Sequence, residues 1–234
     1  AAVLMEEEIA IEQVFEYLDR NALFAGQWQI RKTQQQSRED YDQMLAEKAE
    51  PVLQQWIERC LNDRLLTPRV AYGYFPAGRD GNSLRVFDAQ SNQQLGCFAL
   101  PRQRSGNRYC IADFFQDLDA EGRPSDVLPM QAVTMGERAS EVAKELFQGD
   151  HYSDYLYFHG LAVQMAEALA EWVHARIRGE LGFADPATMP LRDVLAQRYR
   201  GSRYSFGYPA CPNVADSRQQ LDWLKADRIG LSMD

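Results

Sequence analysis

The chain has 234 residues, of which 45% are hydrophobic and 25% charged, proportions that are typical of globular proteins and exclude a disordered or fibrous chain. Its formal net charge of −9 argues against nucleic-acid binding, which requires a basic surface, and favours a small-molecule ligand or a basic protein partner. No apolar run approaches the roughly 20 residues that span a bilayer, and no signal peptide precedes the acidic Glu6-Glu7-Glu8, so we expect a soluble, cytoplasmic protein.

The length allows one large domain or two small ones, and we interpret residues 1–234 as a single domain. The four cysteines lie far apart and never form a C-x-x-C pair, which argues against structural zinc and predicts reduced thiols. The chain begins with Ala1-Ala2-Val3 and not with methionine, so we expect a fragment of a longer polypeptide, although processing would produce the same start.

The first part of the chain has helical periodicity. Apolar residues spaced three and four apart predict an amphipathic helix from Ile9 to Leu23 that runs into a loop. Ser37 followed by Asp40 resembles a capping box, so a second helix is expected from about Glu39 to Asn62. Pro51 lies inside it and predicts either a kink or two helices that meet there.

The middle of the chain indicates β-structure. The strand candidates are Val70–Phe75, Ser83–Phe87, Leu95–Leu100, Tyr109–Phe115 and Val127–Thr134. The first three are most simply arranged as an antiparallel meander, and the other two would extend the sheet. Pro129 predicts that the last strand lies at an edge, because proline cannot donate a hydrogen bond to a neighbouring strand.

From Glu137 to Arg178 the pattern is helical again, in two pieces divided near Gly149-Asp150. The longer piece has apolar residues at helical spacing, namely Phe158, Leu161, Met165, Leu169 and Trp172. A loop from Gly182 to Pro190, a short helix from Leu191 to Tyr199 and an irregular segment from Ser202 to Asn213 follow. This order of elements favours an α+β fold, in which helices flank a twisted antiparallel β-sheet.

The most informative stretch is Arg203-Tyr204-Ser205-Phe206-Gly207-Tyr208-Pro209-Ala210-Cys211-Pro212. Its glycine allows a close approach of the backbone to a ligand, its prolines stiffen the loop, and its arginine can make a forked contact to a carboxylate. The stretch therefore suits an amino-acid-like ligand. A stiff surface loop with a solvated Arg203 would have the same composition.

This stretch resembles the R-x-x-x-G-Y-P-A-C signature of the activation domain found in cobalamin-dependent methionine synthases, and every fixed position is matched. The resemblance covers most of the chain. The other matching segments, in the same order, are Tyr17-Leu18-Asp19 before Phe24, Thr67-Pro68-Arg69 leading to Gly73-Tyr74-Phe75-Pro76-Ala77, Ala112-Asp113-Phe114, Ala166-Glu167-Ala168 and Glu171-Trp172-Val173-His174.

The resemblance implies a domain that binds S-adenosylmethionine and presents its methyl group for reductive methylation of inactive cob(II)alamin, while a flavodoxin-type donor supplies an electron. The parent enzyme would transfer a methyl group from 5-methyltetrahydrofolate to homocysteine. Cobalamin would be held by a neighbouring module of the same polypeptide, because the D-x-H-x-x-G element that ligates cobalt is missing here. No catalytic side chain and no metal ligand is expected, since catalysis here is the positioning of a methyl group.

The resemblance also assigns the ligand site. Arg203 matches the arginine that holds the ligand's carboxylate, and Asp19, near the end of the first predicted helix, matches the aspartate that contacts its amino group. One partner of each sign suits the zwitterionic methionine part of the ligand. The backbone around Ser205, Phe206 and Gly207 and the ring of Tyr208 are expected to line the same site.

Glu167 matches a family position near the surface that faces cobalamin, but a solvated helix face shared with Glu171 and His174 explains it about as well. Glu171-x-x-His174 has the spacing of di-iron helix bundles, which need a second such pair. The histidines are therefore interpreted as ordinary surface or core residues.

Two other functions are compatible with the sequence. In the family, the pattern continues past the residue where this chain stops, and an aromatic pair there contacts the ligand. The first alternative is therefore a docking and regulatory module for the cobalamin domain and an electron donor, without useful ligand affinity. A free-standing protein that reactivates another corrinoid enzyme is the second. The glycine-rich fingerprint of doubly wound methyltransferases is absent, so S-adenosylmethionine would bind by another architecture.

Overall fold

The structure, a computed structural model, describes residues 3–6, 9–149 and 151–233. The strands are β1 (Val3–Glu6), β2 (Arg69–Asp80), β3 (Ser83–Phe87), β4 (Gln94–Ala99) and β5 (Asp126–Thr134). The α-helices are α1 (Ile11–Phe15), α2 (Arg38–Met44), α3 (Glu50–Asn62), α4 (Glu137–Gln148), α5 (Tyr152–Glu180), α6 (Leu191–Leu195) and α7 (Asp216–Leu224). Expectations that rest on Ala1, Ala2, Glu7, Glu8, Asp150 and Asp234 lie outside the described residues.

Strand β2 is the centre of an antiparallel sheet. On one side it pairs with β5 from Arg69 to Ala77, and on the other it pairs first with β1 and then with β3, which forms a hairpin with β4. The meander of three strands and the α+β class are confirmed. Among the described strands β5 pairs with β2 alone, so Pro129 lies at an edge of the sheet, as its missing N–H predicts.

The predicted strand from Tyr109 to Phe115 is wrong. This segment contains a 3₁₀-helical turn, Ile111–Phe114, at which the carboxylate of Asp113 accepts the backbone N–H of Cys110 (2.9 Å) and binds Arg102. Such local bonds from a side chain to the backbone compete with strand pairing, so the aromatic residues here do not join the sheet.

The first helix is shorter than predicted. Helix α1 ends at Phe15, and the prediction that it runs on to Leu23 is wrong. The carboxylate of Asp19 accepts the backbone N–H of Ala22 (2.9 Å), which starts a separate π-helical segment, Ala22–Gln27. This break turns the chain at Asp19.

The capping box of the second helix is confirmed, because the Ser37 hydroxyl accepts the N–H of Asp40 and the Asp40 carboxylate accepts the N–H of Ser37. The helix predicted from Glu39 to Asn62 consists of α2, a π-helical turn at Leu45–Ala49, and α3. Pro51 lies in the first turn of α3, directly after the π-helical turn, so the regular α-helix is interrupted just before the proline, as its missing N–H predicts.

Two apolar cores lie on opposite faces of the sheet. Along β2, Val70 and Tyr72 contribute to the first core and Ala71 and Phe75 to the second, which follows from the alternation of side chains in a strand. The first core includes the apolar residues predicted for the longest helix, α5; Phe158, Leu161, Met165 and Leu169 are fully buried and Trp172 is half-buried. The second core is covered by α7 and a 3₁₀ turn, Ala226–Ile229, which the periodicity did not indicate.

None of the helices in the described part of the chain is both long and apolar enough to cross a membrane.

Gly160 allows α5 to approach the segment that follows Asp19. A Cβ at this position would lie 2.8 Å from Cβ of Gln27, closer than real contacts allow, and at a tight 3.0 Å from Cδ1 of Trp28. We expect Gly160→Ala to lower the free energy of unfolding by about 1–3 kcal/mol, the cost of overpacking a close-packed contact, measured by urea denaturation.

Gly179→Ala is the matched control, because Gly179 lies in the same helix and its added Cβ would meet only a methyl group at 3.9 Å. That variant gains helix propensity and should be more stable by up to about 1 kcal/mol. Equal effects of the two substitutions would contradict the packing argument.

Candidate functional site

A cavity of about 240 Å³ opens where α5, the segment after α1 and the loop after α6 meet. Asp19 comes from the segment after α1, Glu167 and Glu171 from α5, and Arg203 from the loop. The other lining residues are Tyr17, Ala22, Gln164, Ala168, Leu195 and Gln197. The structure thus brings together three residues that the sequence analysis singled out: Asp19, Glu167 and Arg203.

Asp19 is half-buried at the mouth of this cavity. One of its carboxylate oxygens accepts the N–H of Ala22, and the remaining acceptor sites are available to a cationic group. Asp19 and Leu195 also line a second cavity of about 400 Å³, which therefore adjoins the first.

Arg203 is held by two carboxylates of helix α5. Its Nη2 donates to Oε2 of Glu167 (3.0 Å) and its Nε to Oε2 of Glu171 (3.4 Å). These glutamates lie four residues apart, so they share one face of the helix. The exposed fraction is 56% for the Glu167 side chain and 5% for that of Glu171, so the interpretation of Glu167, Glu171 and His174 as one solvated face is wrong.

A buried ion-pair network lies beneath Arg203. The side chain of Arg178 is 1% exposed, and it forms a forked pair with Asp185, with Nε donating to Oδ1 at 2.9 Å. Its Nη1 lies 2.6 Å from Nδ1 of His174 and 3.6 Å from Oε1 of Glu171. The guanidinium also stacks 3.6 Å from the ring centroid of Tyr199, so aromatic and acidic groups enclose it on several sides.

Glu171 is ionised in this network. Burial opposes ionisation, but His174, Tyr199 and Arg203 outweigh it and hold the pKa of this carboxyl below its usual value. The hydroxyl of Tyr199 donates to Oε2 of Glu171 (3.2 Å); burial and this carboxylate raise the pKa of Tyr199, so the phenol remains protonated and keeps donating.

The loop residues predicted to line the ligand site lie outside this cavity. The ring of Phe206 packs 5.1 Å from that of Phe98 in the second core, while Ser205 and Tyr208 are exposed. Gly207 has a φ of +94°, which only glycine adopts readily, and its N–H donates to the carbonyl of Cys211 (2.9 Å). The loop is therefore a closed turn that fixes the backbone next to Arg203.

Cys211 completes this turn. Its buried thiol donates to the carbonyl of Ser205 (2.9 Å), and burial raises the pKa of the thiol, which disfavours the thiolate that a nucleophile would need. Cys211 therefore has a structural role in this turn. Among the described residues, no group of three or more His, Cys, Asp or Glu side chains is placed to hold a metal ion.

Sequence reasoning missed Glu171, Arg178 and Tyr199 as parts of the site. A signal was present: Glu171 and Arg178 carry opposite charges and lie seven residues apart, two helical turns, so they share one face of the helix with Ala168. Charged residues are buried almost only when they are paired, so opposite charges on a face that includes an apolar residue are compatible with a buried ion pair.

The chain is similar in sequence to a known family and to two mycobacterial proteins. The sequence model of the family described as "Vitamin B12 dependent methionine synthase, activation domain" matches residues 10–234. The methionine synthase of Mycobacterium tuberculosis (strain ATCC 25618 / H37Rv) is 39% identical over 239 aligned residues, and that of Mycobacterium leprae (strain TN) is 38% identical over the same number. Each alignment covers 96% of this chain and 20% of the relative, so the chain spans about a fifth of the length of these proteins.

A solved structure described as "Crystal Structure of the MetH Reactivation Domain bound to AdoHcy" superposes with a TM-score of 0.84. The match covers 100% of this chain and 73% of that one, at 24% sequence identity. The likeness is one of fold, and it confirms the sheet flanked by helices.

Proposed function

The chain belongs to the activation-domain family of vitamin B12-dependent methionine synthases, and from that premise we propose that it binds S-adenosylmethionine and presents the methyl group for reductive methylation of cobalamin. The observation that carries the proposal is the meeting of Asp19, Glu167 and Arg203 on one cavity, although they come from distant parts of the sequence. A structural neighbour with the same fold is described as bound to AdoHcy, the demethylated form of this ligand, which supports the proposal.

The charges of the cavity fit those of S-adenosylmethionine. The ligand has one carboxylate and two positive groups, an ammonium and a sulfonium. Arg203 offers the forked guanidinium that suits the carboxylate, and Asp19 has free acceptor sites for the ammonium. Glu167 and Glu171 add two further carboxylates, so acidic groups outnumber the one arginine and favour a ligand of net positive charge.

The residues at the rim of the cavity have proposed roles as well. Glu167, the most exposed of the charged lining residues, is proposed to face the cobalamin module. The turn that begins two residues after Arg203 is proposed to bind the nucleoside part of the ligand through the backbone of Ser205, Phe206 and Gly207 and the ring of Tyr208. The exposed Tyr208 ring is available for such stacking.

In the whole protein this domain would work by positioning. Asp19 and Arg203 would hold S-adenosylmethionine, and S-adenosylhomocysteine would remain after the methyl group has left. Cobalamin, held by a neighbouring module of the same polypeptide, would supply the reduced cobalt that accepts the methyl group once a flavodoxin-type donor has provided one electron. The activity served is methyl transfer from 5-methyltetrahydrofolate to homocysteine. We further propose that residues 1–234 form a single domain, the C-terminal part of such an enzyme, and that it functions in the cytoplasm.

Isothermal titration of the 234-residue chain tests the proposal, with S-adenosylmethionine and S-adenosylhomocysteine as ligands. We expect saturable binding of both, with S-adenosylmethionine about two- to fivefold tighter, because its sulfonium adds a positive charge to an acidic cavity and a partly exposed ion pair contributes about 0.5–1 kcal/mol. In 1 M salt, which screens such pairs, the ratio of the two dissociation constants should fall towards one.

Absence of saturable binding by the chain would contradict the proposal and favour a docking module for the cobalamin domain. Specific binding with a salt-independent preference for S-adenosylhomocysteine would leave the ligand class in place and overturn the argument from charge.

A further inference from the structure

Arg203 contacts helix α5 at two points, and the two contacts differ in burial. We infer that Glu171 is a positioning residue, which fixes Arg203 from within the protein so that the outer nitrogens of its guanidinium face a carboxylate ligand. The inference rests on the proposed function, because it specifies how the arginine of that site is oriented.

The contact at Glu171 uses the nitrogen nearest the arginine stem. A guanidinium has five N–H donors, and Nε carries one of them. Because Nε of Arg203 donates to Oε2 of Glu171, the orientation of the guanidinium plane is set while Nη1 and Nη2 keep the parallel pair of donors that a carboxylate recognises. Glu171 itself is oriented by the Tyr199 hydroxyl on the same oxygen.

The contact at Glu167 is of another kind. Glu167 pairs with Nη2 of Arg203, one of the nitrogens that a ligand carboxylate would take, and its side chain is more than half exposed. An ion pair of such exposure contributes little to stability, because water screens it, so a ligand carboxylate can displace it. The two glutamates therefore have different functions: Glu171 anchors Arg203, and Glu167 is exchangeable.

Acidic and basic side chains alternate from the interior towards the cavity. In this series the carboxyl of Glu171 has to be ionised, because it lies between two guanidinium groups. Asp185 pairs with Arg178, Arg178 lies 3.6 Å from Oε1 of Glu171, and Glu171 contacts Arg203. Among the described residues Oε1 of Glu171 has no hydrogen bond, and its charge faces Nη1 of Arg178 and, at 3.8 Å, Nδ1 of His174. Without the charge of Glu171, the guanidinium of Arg203 would face that of Arg178, and the repulsion would turn Arg203 outward.

The test compares Glu171→Gln with Glu180→Gln. Glu180 is the matched control, because it lies on the same helix and accepts hydrogen bonds from Tyr72, Tyr74 and Arg176, yet does not contact Arg203. The first readout is the Nε–H resonance of Arg203 in arginine-labelled protein, assigned by its loss in Arg203→Lys. The second is the titration with S-adenosylmethionine.

We expect Glu171→Gln to shift or broaden the Arg203 resonance and to weaken binding at least tenfold, while Glu180→Gln changes neither by a comparable amount. An unchanged resonance in Glu171→Gln overturns the inference, whether or not the unmodified chain binds the ligand. Equal losses of affinity in both variants overturn it too, because they would reflect general destabilisation. If the unmodified chain binds nothing, the proposed function fails, and the resonance alone decides the role of Glu171.

Discussion

Arg203→Ala is expected to weaken the binding of S-adenosylmethionine by at least tenfold, the largest effect of any single substitution in the cavity. The side chain of Arg203 is 19% exposed, so a ligand carboxylate would meet it in a partly desolvated position. A hydrogen bond to a charged group contributes about 1.5–3 kcal/mol, and about 1.4 kcal/mol already corresponds to a factor of ten in the dissociation constant. Isothermal titration under identical conditions measures the change.

Arg198→Ala is the control for this substitution, because Arg198 lies on the same stretch and its exposed side chain pairs with Asp193 outside the cavity. The affinity of the Arg198→Ala variant for S-adenosylmethionine should stay within twofold of that of the unmodified chain. Arg203→Lys separates charge from geometry: a lysine keeps the charge but loses the fork, so most of the affinity should still be lost. Full affinity in Arg203→Ala would remove Arg203 from the ligand site.

Most of the sheet is predictable from the sequence, because short aromatic and β-branched runs bounded by turn residues act locally. The strand Ser83–Phe87 has the predicted bounds for this reason. The segment Tyr109–Phe115 is also rich in aromatic residues, but it does not form a strand. The carboxylate of Asp113 accepts the backbone N–H of Cys110 and the side chain of Arg102, which holds the segment in a turn. A backbone N–H can bond either to a nearby side chain or to a neighbouring strand. Which of the two it takes depends on whether the tertiary structure brings a strand within reach, and composition does not contain that information.

Helix α7 shows a second limit. It is mostly polar, and its docking depends on Trp223, which fits against β4 only because residue 96 is a glycine: a Cβ there would lie 2.7 Å from the indole. The partner of a helix with so few apolar residues is set by shape on a distant strand. Periodicity along the helix cannot supply that information.

The residues of the candidate site also fall into two groups: those that the sequence indicated and those that only the structure shows. Asp19 and Arg203 could be selected because they match a family pattern; in composition Asp19 is one of 34 acidic residues. Glu171 escaped selection because a charged residue on a helix is ordinarily solvated. Its burial follows from the loop that carries Tyr199 and Arg203, which packs over α5 from far along the sequence.

Arg178→Met is expected to lower the free energy of unfolding by about 3–5 kcal/mol, since removing one partner of a buried ion pair leaves the others without compensation. Methionine fills much of the volume of the arginine stem, so the loss reports on charge more than on packing. Asp185 would lose its forked partner, Glu171 would lose the guanidinium of Arg178 while keeping that of Arg203, and Tyr199 would lose a stacked cation. Urea denaturation followed by circular dichroism measures the change.

Arg198→Met, an exposed member of a surface pair, should cost less than about 1 kcal/mol and serves as the control. The pH dependence gives a further check. His174, Tyr199 and Arg203 outweigh burial and lower the pKa of Glu171 in the folded protein, so its ionised carboxylate stabilises the fold above the ordinary pKa, and this contribution is lost as the pH falls through the lowered value. The contact of Glu171 with Arg178, at 3.6 Å, depends on the same charge and is lost with it. The difference between unmodified protein and Arg178→Met should therefore shrink on acidification. A loss that is small at neutral pH, or that does not change with pH, would mean that Arg178 does not support Glu171 by charge, and the anchoring of Arg203 would then depend on Tyr199.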